Sequence, residues 1–414
     1  MAKRENGSGT IRQRNDGSWE GRYTTGFHPG TGKQIRKSVY GKTKKEVAEK
    51  LRKATSEIDS GTYMEPSRIT VKEWFEIWLA EYMGDKKPLT VQQYRSMAET
   101  HIYPEIGAVK LSKLTSPQIQ KFYNQLAVDG KKGKRKNPET GKMEIVKTGK
   151  PLSAKTIRNI HDIISKALNT AVLQGMVKEN VSQRVTVPKV IKAEVQPLTE
   201  EQQRDFIAAI KEHQFRSIYM LTLFTGLREG EAVGLTWDCF DEKKGTLKVY
   251  RQLQRTPGKW SEWRFVPLKN NKTRVIQLSS FTVKLLADQK TYQIEKQRFQ
   301  AGLAWQGFQN EEERKTAFIF TDDLGNHLNS ATVLENFKKI ADQIGVPSAR
   351  FHDLRHSYAV NCLQEGDNPK TVQENLGHHS AAFTLDVYGH VSDRMKEESA
   401  RRQQAYIERL GIGG

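Results

Sequence analysis

A short run bounded by two prolines divides the chain and strongly constrains how it can fold. In "VPKVIKAEVQP", residues 187–197, Pro188 and Pro197 enclose charged residues without helical or strand periodicity. Proline has no backbone N–H and disfavours helix in the residue before it, so such a run is extended. We therefore predict an interdomain linker over 188–197, with separately folded segments on either side. A chain of 414 residues is long enough for two or three domains.

Residues 1–64 alternate short strand-like runs with turn signals. Tight turns are marked at 15–17 and 29–30, and an amphipathic pattern indicates a helix from Thr43 to near Gly61. The pattern predicts a three-stranded sheet backed by one helix. Basic and aromatic residues share its strands, and the DNA-contact candidates are Arg12, Arg14, Arg22, Arg36 and Lys37. Such a face can enter a DNA groove, and a solvated sheet face is the alternative.

The segment 69–187 shows helical periodicity in four stretches. Each begins near a residue that favours a helix N-cap, and these residues are Thr70, Thr90, Ser116 and Ser153. We therefore predict a helical domain built from four helices.

Between the third and fourth of these helices lies a basic insertion, residues 130–150, with eight Lys or Arg and two Glu. The turn signature at 137–141 has flanks that can extend, which favours a β-hairpin. A loop that orders only on binding is the alternative. The insertion suits contact with a duplex, and its candidates are Lys131, Lys132, Lys134, Arg135 and Lys136.

Residues 198–414 mix helical and strand patterns. "FRSIYMLTLFTGLREGEAVGLTW" indicates an apolar helix, a Thr-Gly break and a second helix that starts beside Arg228. Three strand-like stretches follow between 245 and 279, with a turn from Lys269 to Lys272. Further helices are predicted near 280–300, 329–344, 351–364 and 368–377, and a charged C-terminal tail helix carries a loose apolar stripe.

The net charge of the chain limits the kinds of molecule that it can bind. The net charge is +19 and the pI is near 9.6, so the chain repels itself unless it works against a polyanion. Nucleic acid is the first candidate and an anionic membrane the second. No run approaches the length of a spanning helix, and the N-terminus lacks an apolar signal segment, so we expect a cytoplasmic protein without a membrane partner. Cys239 and Cys362 are too few for a disulfide framework or a cysteine-based metal site.

One predicted core helix carries two unexpected polar residues. "FHDLRHSYAV", residues 351–360, places His352 and Arg355 three residues apart, where both can face one target. Taken alone, a half-buried histidine with a capping arginine is the commoner explanation of such a pair. The rest of the sequence must decide between the two.

Four separated motifs together resemble those of the tyrosine recombinases. They occur in that family's order: "TGLREGEAVGL" with Arg228, "LKNNKTRVIQL" with Lys269, "FHDLRHSYA" with His352 and Arg355, and "LGHHSAAFTLDVYGHV" with His378 and Tyr388. The chain is similar to phage and conjugative-transposon integrases along nearly its whole length. The resemblance implies a multidomain α+β fold: a small three-stranded sheet with a helix for arm-type DNA, a helical core-binding domain, and a mixed, mainly α catalytic domain with a small antiparallel sheet.

The resemblance also implies a reaction. Arg228 and Arg355 would hold the scissile phosphate, since a guanidinium offers two parallel donors to phosphate oxygens. Tyr388 would attack to give a 3′-phosphotyrosine, with His352 accepting its proton. His378 would bond to a phosphoryl oxygen, and Lys269 would protonate the departing 5′ oxygen, although Lys272 lies in the same turn. No metal and no cofactor are expected, and resealing needs no ATP.

The family implies partners beyond one duplex. We expect double-stranded DNA at element ends and target site, a homotetramer in the synaptic complex, an excisionase and a DNA-bending host factor, and action at the bacterial nucleoid. A type IB topoisomerase shares the chemistry, and a non-catalytic DNA-binding regulator would share the basic surfaces. The arm-type domain favours recombination over the former, and the ordered set of site residues favours an enzyme over the latter.

Overall fold

The computed structural model divides the chain into two compact units, residues 1–191 and 192–414. It describes residues 9–27, 30–59, 68–136, 141, 143–191, 196–256, 262–269, 271–377 and 393–411. The boundary between the units falls inside the run 188–197. Among the described residues, no helix combines the length and the apolar character needed to cross a bilayer.

The first unit opens with the predicted sheet and helix. Strands β1 (Thr10–Gln13), β2 (Trp19–Phe27) and β3 (Gln34–Gly41) pair antiparallel in the order β1-β2-β3, and α1 (Lys44–Asp59) follows. Val47 and Leu51 of α1 are buried, and Gly21 lies so close that a Cβ there would come within 2.8 Å of Val47. The helix therefore covers the sheet face that contains Gly21, and the opposite face carries Glu20 and Arg22.

Helices with their own apolar core form the rest of the first unit. They are α2 (Val71–Glu81), α3 (Pro88–Met97), a π-helical turn (Ala98–Ile102), α4 (Tyr103–Ile106), α5 (Ser116–Asp129) and α6 (Ala154–Leu173), with 3₁₀ turns at Leu111–Lys113 and Val181–Arg184. Trp74, Phe75, Tyr123 and Ile160 are almost fully buried between them. The predicted helical domain is thus present.

Two of the four predicted N-caps are confirmed and two are wrong. The side chains of Thr70 and Ser153 accept backbone N–H bonds at the starts of α2 and α6. Thr90 lies inside α3, because Pro88, whose fixed φ and missing N–H suit the first helical turn, starts that helix earlier. Thr115 rather than Ser116 precedes α5, and its capping box with Gln118 fixes the start there.

The basic insertion forms the predicted hairpin. Strands β4 (Lys132–Lys136) and β5 (Met143–Lys147) pair antiparallel, with Lys132 opposite Lys147. The hairpin is tied to the helices at its base, where Lys132 Nζ donates to the Thr100 carbonyl and Lys147 lies 3.5 Å from Glu105 and 3.6 Å from Asp129.

The second unit is mixed and mainly helical. Its helices are α7 (Glu200–Ala209), α8 (Arg216–Thr225), α9 (Glu229–Ala232), α10 (Ser280–Tyr292), α11 (Arg298–Ala301), α12 (Glu311–Thr316), α13 (Ser330–Gln343), α14 (Phe351–Gln364), α15 (Pro369–Leu376) and α16 (Asp393–Arg409), with a π-helical turn at Gln293–Gln297 and 3₁₀ turns at Trp237–Cys239 and Gly302–Ala304. Its strands are β6 (Phe240–Asp241), β7 (Thr246–Val249), β8 (Arg251–Arg255), β9 (Trp263–Pro267) and β10 (Arg274–Gln277). They form one sheet in the order β10-β7-β6 and a separate hairpin of β8 and β9.

The break predicted after the apolar helix of this unit is a left-handed glycine. Gly226 ends α8 with φ of 64°, a conformation that L side chains rarely adopt. A Cβ at this position would lie 2.5 Å from the Tyr358 ring and 2.6 Å from Leu376. Glycine here brings α8, α14 and α15 together and turns the chain towards Arg228.

Candidate active site

Arg228 lies at the start of α9, directly after the Gly226 turn. Its Nη1 donates to Glu231 Oε1 over 2.9 Å, and its Nη2 reaches the Gly377 carbonyl at 3.3 Å. The side chain keeps 24% of its surface exposed. Arg228 is therefore held by the protein and still open to an anion from solvent.

Arg355 is the buried arginine of the site. It projects from α14 with 1% exposure, and its guanidinium donates to the Gly226 carbonyl at 2.5 Å and to the Leu376 carbonyl at 2.7 Å. A buried guanidinium requires acceptors, and the two carbonyls provide them. Arg355 therefore turns from its helix towards the interior of the unit.

A third arginine joins this site although the motifs did not single it out. Arg274, the first residue of β10, donates from Nε to the Asn375 carbonyl at 2.6 Å. Asn375, Leu376 and Gly377 thus each accept a bond from a different arginine at the end of α15. The last carbonyls of a helix lack intrahelical partners and carry partial negative charge, so they are suited to cations.

Glu231 connects two of these arginines. It is 1% exposed and receives both Nη atoms of Arg274, at 3.1 and 2.5 Å, as well as the Arg228 side chain. Burial alone would raise its pKa, but the hydrogen bonds and charge of Arg274, with the charge of Arg228, lower the pKa of Glu231 to about 2. Glu231 is anionic at neutral pH.

Sequence reasoning missed Glu231 and Arg274. The spacing of Arg228 and Glu231, one helical turn apart, was the available signal for the carboxylate. Arg274 stands at an inward position of "TRVIQL", where it alternates with the exposed Val275 before the buried Ile276. An arginine at an inward strand position indicates a buried acceptor.

His352 lies on α14 one turn before Arg355. Part of its side chain reaches solvent, and its ring lies 4.7 Å from that of His356 in an edge-to-face arrangement. Desolvation by the surrounding protein, then the charges of His356, Arg355 and Arg228, lower the pKa of His352 to about 4. His352 is a neutral imidazole at neutral pH, ready to accept a proton.

The predicted turn with the candidate lysines is present between β9 and β10. Asn271 has φ of 51° and donates its N–H to the Leu268 carbonyl, which closes the turn. Lys269 and Lys272 are both exposed, so the described geometry does not choose between them.

His378 and Tyr388 fall within 378–392, which lies outside the described residues. The described chain that precedes them ends at Gly377, whose carbonyl accepts a bond from Arg228. Among the residues that the structure does describe, no three His, Cys, Asp or Glu side chains are placed to share a metal ion.

The N-terminal DNA-contact candidates divide between the two sheet faces. By register, Arg12 lies opposite Glu20, Arg22 opposite Ser38 and Arg36 opposite Thr24, which places the three arginines on the face away from α1. Lys37 follows Arg36 in the strand and pairs with Tyr23, so it belongs to the covered face. Arg14, just beyond β1, lies 5.3 Å from the Tyr40 ring centre.

Glu20 lies at the centre of the open sheet face. It is 3% exposed, and it accepts bonds from Arg12 at 2.6 Å and Arg22 at 3.0 Å. Hydrogen bonds from Arg22, Ser38 and Arg12 lower the pKa of Glu20 to about 2. A fixed carboxylate thus holds two of the candidate arginines in place.

Of the hairpin candidates, Lys131 is exposed and Lys132 is partly buried against the helices. Desolvation lowers the pKa of Lys132. The side chains of Lys134, Arg135 and Lys136 lie outside what the structure describes.

Comparison with known proteins gives the same assignment along the chain. The model of the phage integrase family matches residues 196–395, and that of the phage integrase N-terminal SAM-like domain matches residues 70–127. A XerC-like tyrosine recombinase of Caldanaerobacter subterraneus subsp. tengcongensis is 29% identical over 380 residues, covering 88% of this chain and 90% of its own. The ICEBs1 integrase of Bacillus subtilis is 25% identical, covering 94% of this chain and 98% of its own.

Solved structures show the same fold. The Tn1549 transposon integrase, residues 82–397 in complex with a circular intermediate DNA, gives a TM-score of 0.62 at 18% identity over 81% of this chain and 99% of its own. A lambda integrase dimer bound to a COC′ core site gives 0.54 at 20% identity over 94% of this chain and 98% of its own.

The matched family models and relatives place the chain among enzymes that recombine DNA. The chain belongs to the phage integrase family of tyrosine recombinases. It is a site-specific DNA recombinase of the kind that integrates mobile elements.

Proposed function

We propose that Arg228, Arg355, His352 and Lys269, together with His378 and Tyr388, form the catalytic set of this recombinase. The observation that carries the proposal is the convergence of Arg228 and Arg355 at the end of α15, one residue before His378. Two guanidinium groups held in fixed positions can stabilise the charge that develops on a phosphoryl group in displacement.

The proposed reaction begins with attack of the Tyr388 hydroxyl on the scissile phosphorus. The new bond joins the tyrosine oxygen to the 3′ phosphate while the bond to the 5′ oxygen breaks. His352 accepts the phenol proton, and Lys269 supplies a proton to the 5′ oxygen as it leaves. Attack by a 5′ hydroxyl of another strand reverses these steps and restores a phosphodiester without ATP.

We propose that the remaining parts of the chain bind DNA. Residues 1–64 would bind arm-type sites through the open sheet face of Arg12, Arg22 and Arg36, and residues 69–187 would bind core sites with the basic hairpin. Residues 188–197 would connect them to the catalytic domain, 198–414. The lambda integrase tetramer bound to a Holliday junction, 19% identical to this chain, supports a tetramer at synapsis. In acting on element and target DNA, the enzyme would work at the bacterial nucleoid.

Covalent trapping tests the proposed nucleophile. With a nicked core-site duplex from the element, whose released fragment diffuses away, the protein should form an adduct that resists denaturation. Tyr388→Phe removes only the hydroxyl, so we expect DNA affinity within about twofold of the parent and loss of the adduct. An adduct of undiminished yield would reject Tyr388, and a joining assay with two duplexes separates recombination from simple relaxation.

A further inference from the structure

Arg274 is a buried cation whose described bonds all go to the protein. It is 8% exposed at the start of β10. Its two Nη atoms bind the two Glu231 oxygens at 3.1 and 2.5 Å, and its Nε binds the Asn375 carbonyl at 2.6 Å. These three bonds use three of the five guanidinium N–H groups and hold Arg274 between Glu231 and the end of α15.

One acceptor of Arg274, Glu231, also serves Arg228. Glu231 accepts the backbone N–H of Arg228 at 2.9 Å and its Nη1 at 2.9 Å, and the Gly377 carbonyl, two residues after Asn375, takes Nη2 at 3.3 Å. Arg274 thus binds Glu231 directly and, through the Asn375 carbonyl, the end of α15 that carries the Gly377 carbonyl. The close fit extends to Gly377, where a Cβ would lie 3.2 Å from Arg274 Nη1.

We propose that Arg274 is a positioning residue of the recombination reaction, which acts through Glu231 and the end of α15 to hold Arg228 towards the scissile phosphate. The proposal rests on the role proposed for Arg228. Without Arg274, Glu231 would keep its bond to Arg228 but lose the partner that fixes its own orientation, and the carbonyls at 375–377 would lose one of three cations.

A role in folding alone would leave different traces. Buried ion pairs contribute little net stability compared with apolar side chains of similar volume, so fold stability does not by itself call for an arginine at this position. Orientation of a catalytic group does, because a displacement of about 1 Å can lower a rate about 100-fold. The planar guanidinium can bind a carboxylate in two places and a carbonyl in a third, which lysine cannot reproduce.

The test is single-turnover adduct formation on the nicked duplex at saturating protein. For Arg274→Gln we expect a rate lower by about 10- to 100-fold, with DNA affinity changed less than about threefold. Arg274→Lys keeps the charge, so it should recover part of the rate. Equal loss of affinity and rate, or no loss of rate in a folded variant, would overturn the proposal.

A double variant separates action through Arg228 from an independent contribution. If Arg274 works through Arg228, Arg228→Gln with Arg274→Gln should be no slower than Arg228→Gln alone, whereas independent effects would multiply. Multiplying effects would overturn this inference and leave the role of Arg228 intact. A normal rate for Arg228→Gln alone would instead reject the proposed function.

Arg251→Gln is the matched control. Arg251 is another arginine of the second unit, partly buried, with Asp238 at 3.7 Å and Thr236 at 2.9 Å, and none of its described bonds reaches Glu231 or α15. We expect its thermal unfolding to shift about as much as that of Arg274→Gln while the cleavage rate stays within about twofold of the parent. A comparable rate loss in the control would mean that general destabilisation explains the Arg274 effect.

Discussion

At the scale of single residues, the site brings together two kinds of group that each need a hydrogen-bond partner. Arg355 and Arg274 are buried cations that need acceptors, and the final carbonyls of α15 are acceptors without intrahelical partners. Each group satisfies the other. The guanidinium groups are consequently held in fixed orientations, which in the proposed function limits the reorganisation required when a phosphate binds.

The state of His352 leads to a pH prediction. Since its pKa is lowered to about 4, the imidazole stays neutral throughout the range from about pH 5.5 to 8. We expect kcat/KM for adduct formation, which reports the free enzyme, to show no protonation of a histidine near its ordinary pKa in that range. His352→Gln should reduce the rate by about 10²–10⁴-fold at every pH measured.

His356→Gln provides the control, because His356 shares the lowered pKa of about 4 but lies one turn further from the start of α14. We expect a much smaller loss of rate from it. An acid limb with a midpoint near 6.5 that disappears in His352→Gln would contradict the prediction.

Both histidines also bear on stability. A histidine whose pKa is lower in the folded than in the unfolded protein favours folding above its unfolded pKa. That contribution is lost as the pH falls towards the folded value. The second unit is therefore expected to lose stability on acidification from about pH 6.5 to about 4.

The sequence predicted these residues unequally. Arg228, His352 and Arg355 stand in motifs whose spacing follows helical geometry, so their elements and burial could be anticipated. Glu231 and Arg274 lie 43 positions apart in the chain and meet only through tertiary packing, which local periodicity does not encode. Which of Lys269 and Lys272 lies near the departing 5′ oxygen is set by the position of the bound DNA. Neither the sequence pattern nor the fold defines that position.

At the scale of elements, the basic hairpin uses part of its charge within the protein. Lys132 and Lys147 bind groups on the helices at its base, so they anchor the strands. Lys131 is exposed, and we propose that it and the remaining cations of β4 are the residues that contact a duplex. The proposal divides the candidate set into anchoring and DNA-contacting residues.

Neutralising the second group tests the division. With Lys131, Lys134, Arg135 and Lys136 changed to Gln, we expect weaker DNA binding and a shallower salt dependence. The slope of log K against log salt should change by about 0.9 for each DNA phosphate that the variant no longer neutralises. The measurement is DNA affinity across a salt series.

Two controls accompany this variant. Changing the exposed Lys284, Lys315, Lys338 and Lys339 to Gln removes the same charge elsewhere and should leave the slope nearly constant. Lys132→Gln should lower the thermal stability of the first unit and change the salt slope little. A parental slope in the hairpin variant would mean that the hairpin does not contact DNA.

Element prediction succeeded where one pattern dominated. The three strands with α1 and the long amphipathic helices followed from turn signals and periodicity. The insertion allowed a hairpin or a loop because its Lys- and Gly-rich composition is weak evidence for strands, and contacts such as Lys132 with Thr100 help to stabilise the hairpin. The N-caps of α3 and α5 were misplaced, at Thr90 instead of Lys87 and at Ser116 instead of Thr115, since several residues there are competent to start a helix.

At the scale of the whole molecule, α16 leaves apolar surface open. Tyr406 is 52% and Leu410 55% exposed, Ala400 and Ala405 are exposed, and Ile407 is partly buried. The predicted stripe comprises Met395, Ala400, Ala405, Ile407 and Leu410, and among its members whose side chains are described Ile407 alone is partly covered. The two alternatives for the stripe are packing on its own domain and docking on a neighbouring catalytic domain. The exposure favours the second, a heterologous contact that can close into a ring.

Deleting residues 396–414 should therefore leave single-site DNA binding within about twofold of the parent and abolish tetrameric synaptic complexes, with cleavage reduced or deregulated. Sizing of cross-linked complexes on paired sites measures the assembly. In the full-length chain, Tyr406→Asp with Leu410→Asp should reproduce the defect, whereas Glu408→Ala on the same helix should not. Normal tetramers and normal recombination by the truncated protein would exclude trans docking.

Gly377, whose carbonyl Arg228 holds, and the start of α16 also set limits on the reach of the proposed nucleophile. Tyr388 follows Gly377 by eleven residues and precedes Asp393 by five. A fully extended chain covers about 3.5 Å per residue, so Tyr388 can lie at most about 40 Å from Gly377 but only about 18 Å from Asp393. The segment that joins Tyr388 to α16 is therefore shorter than the segment that joins it to Gly377. Whichever catalytic domain receives α16, the phosphates that Tyr388 can attack are confined to a region around the start of that helix.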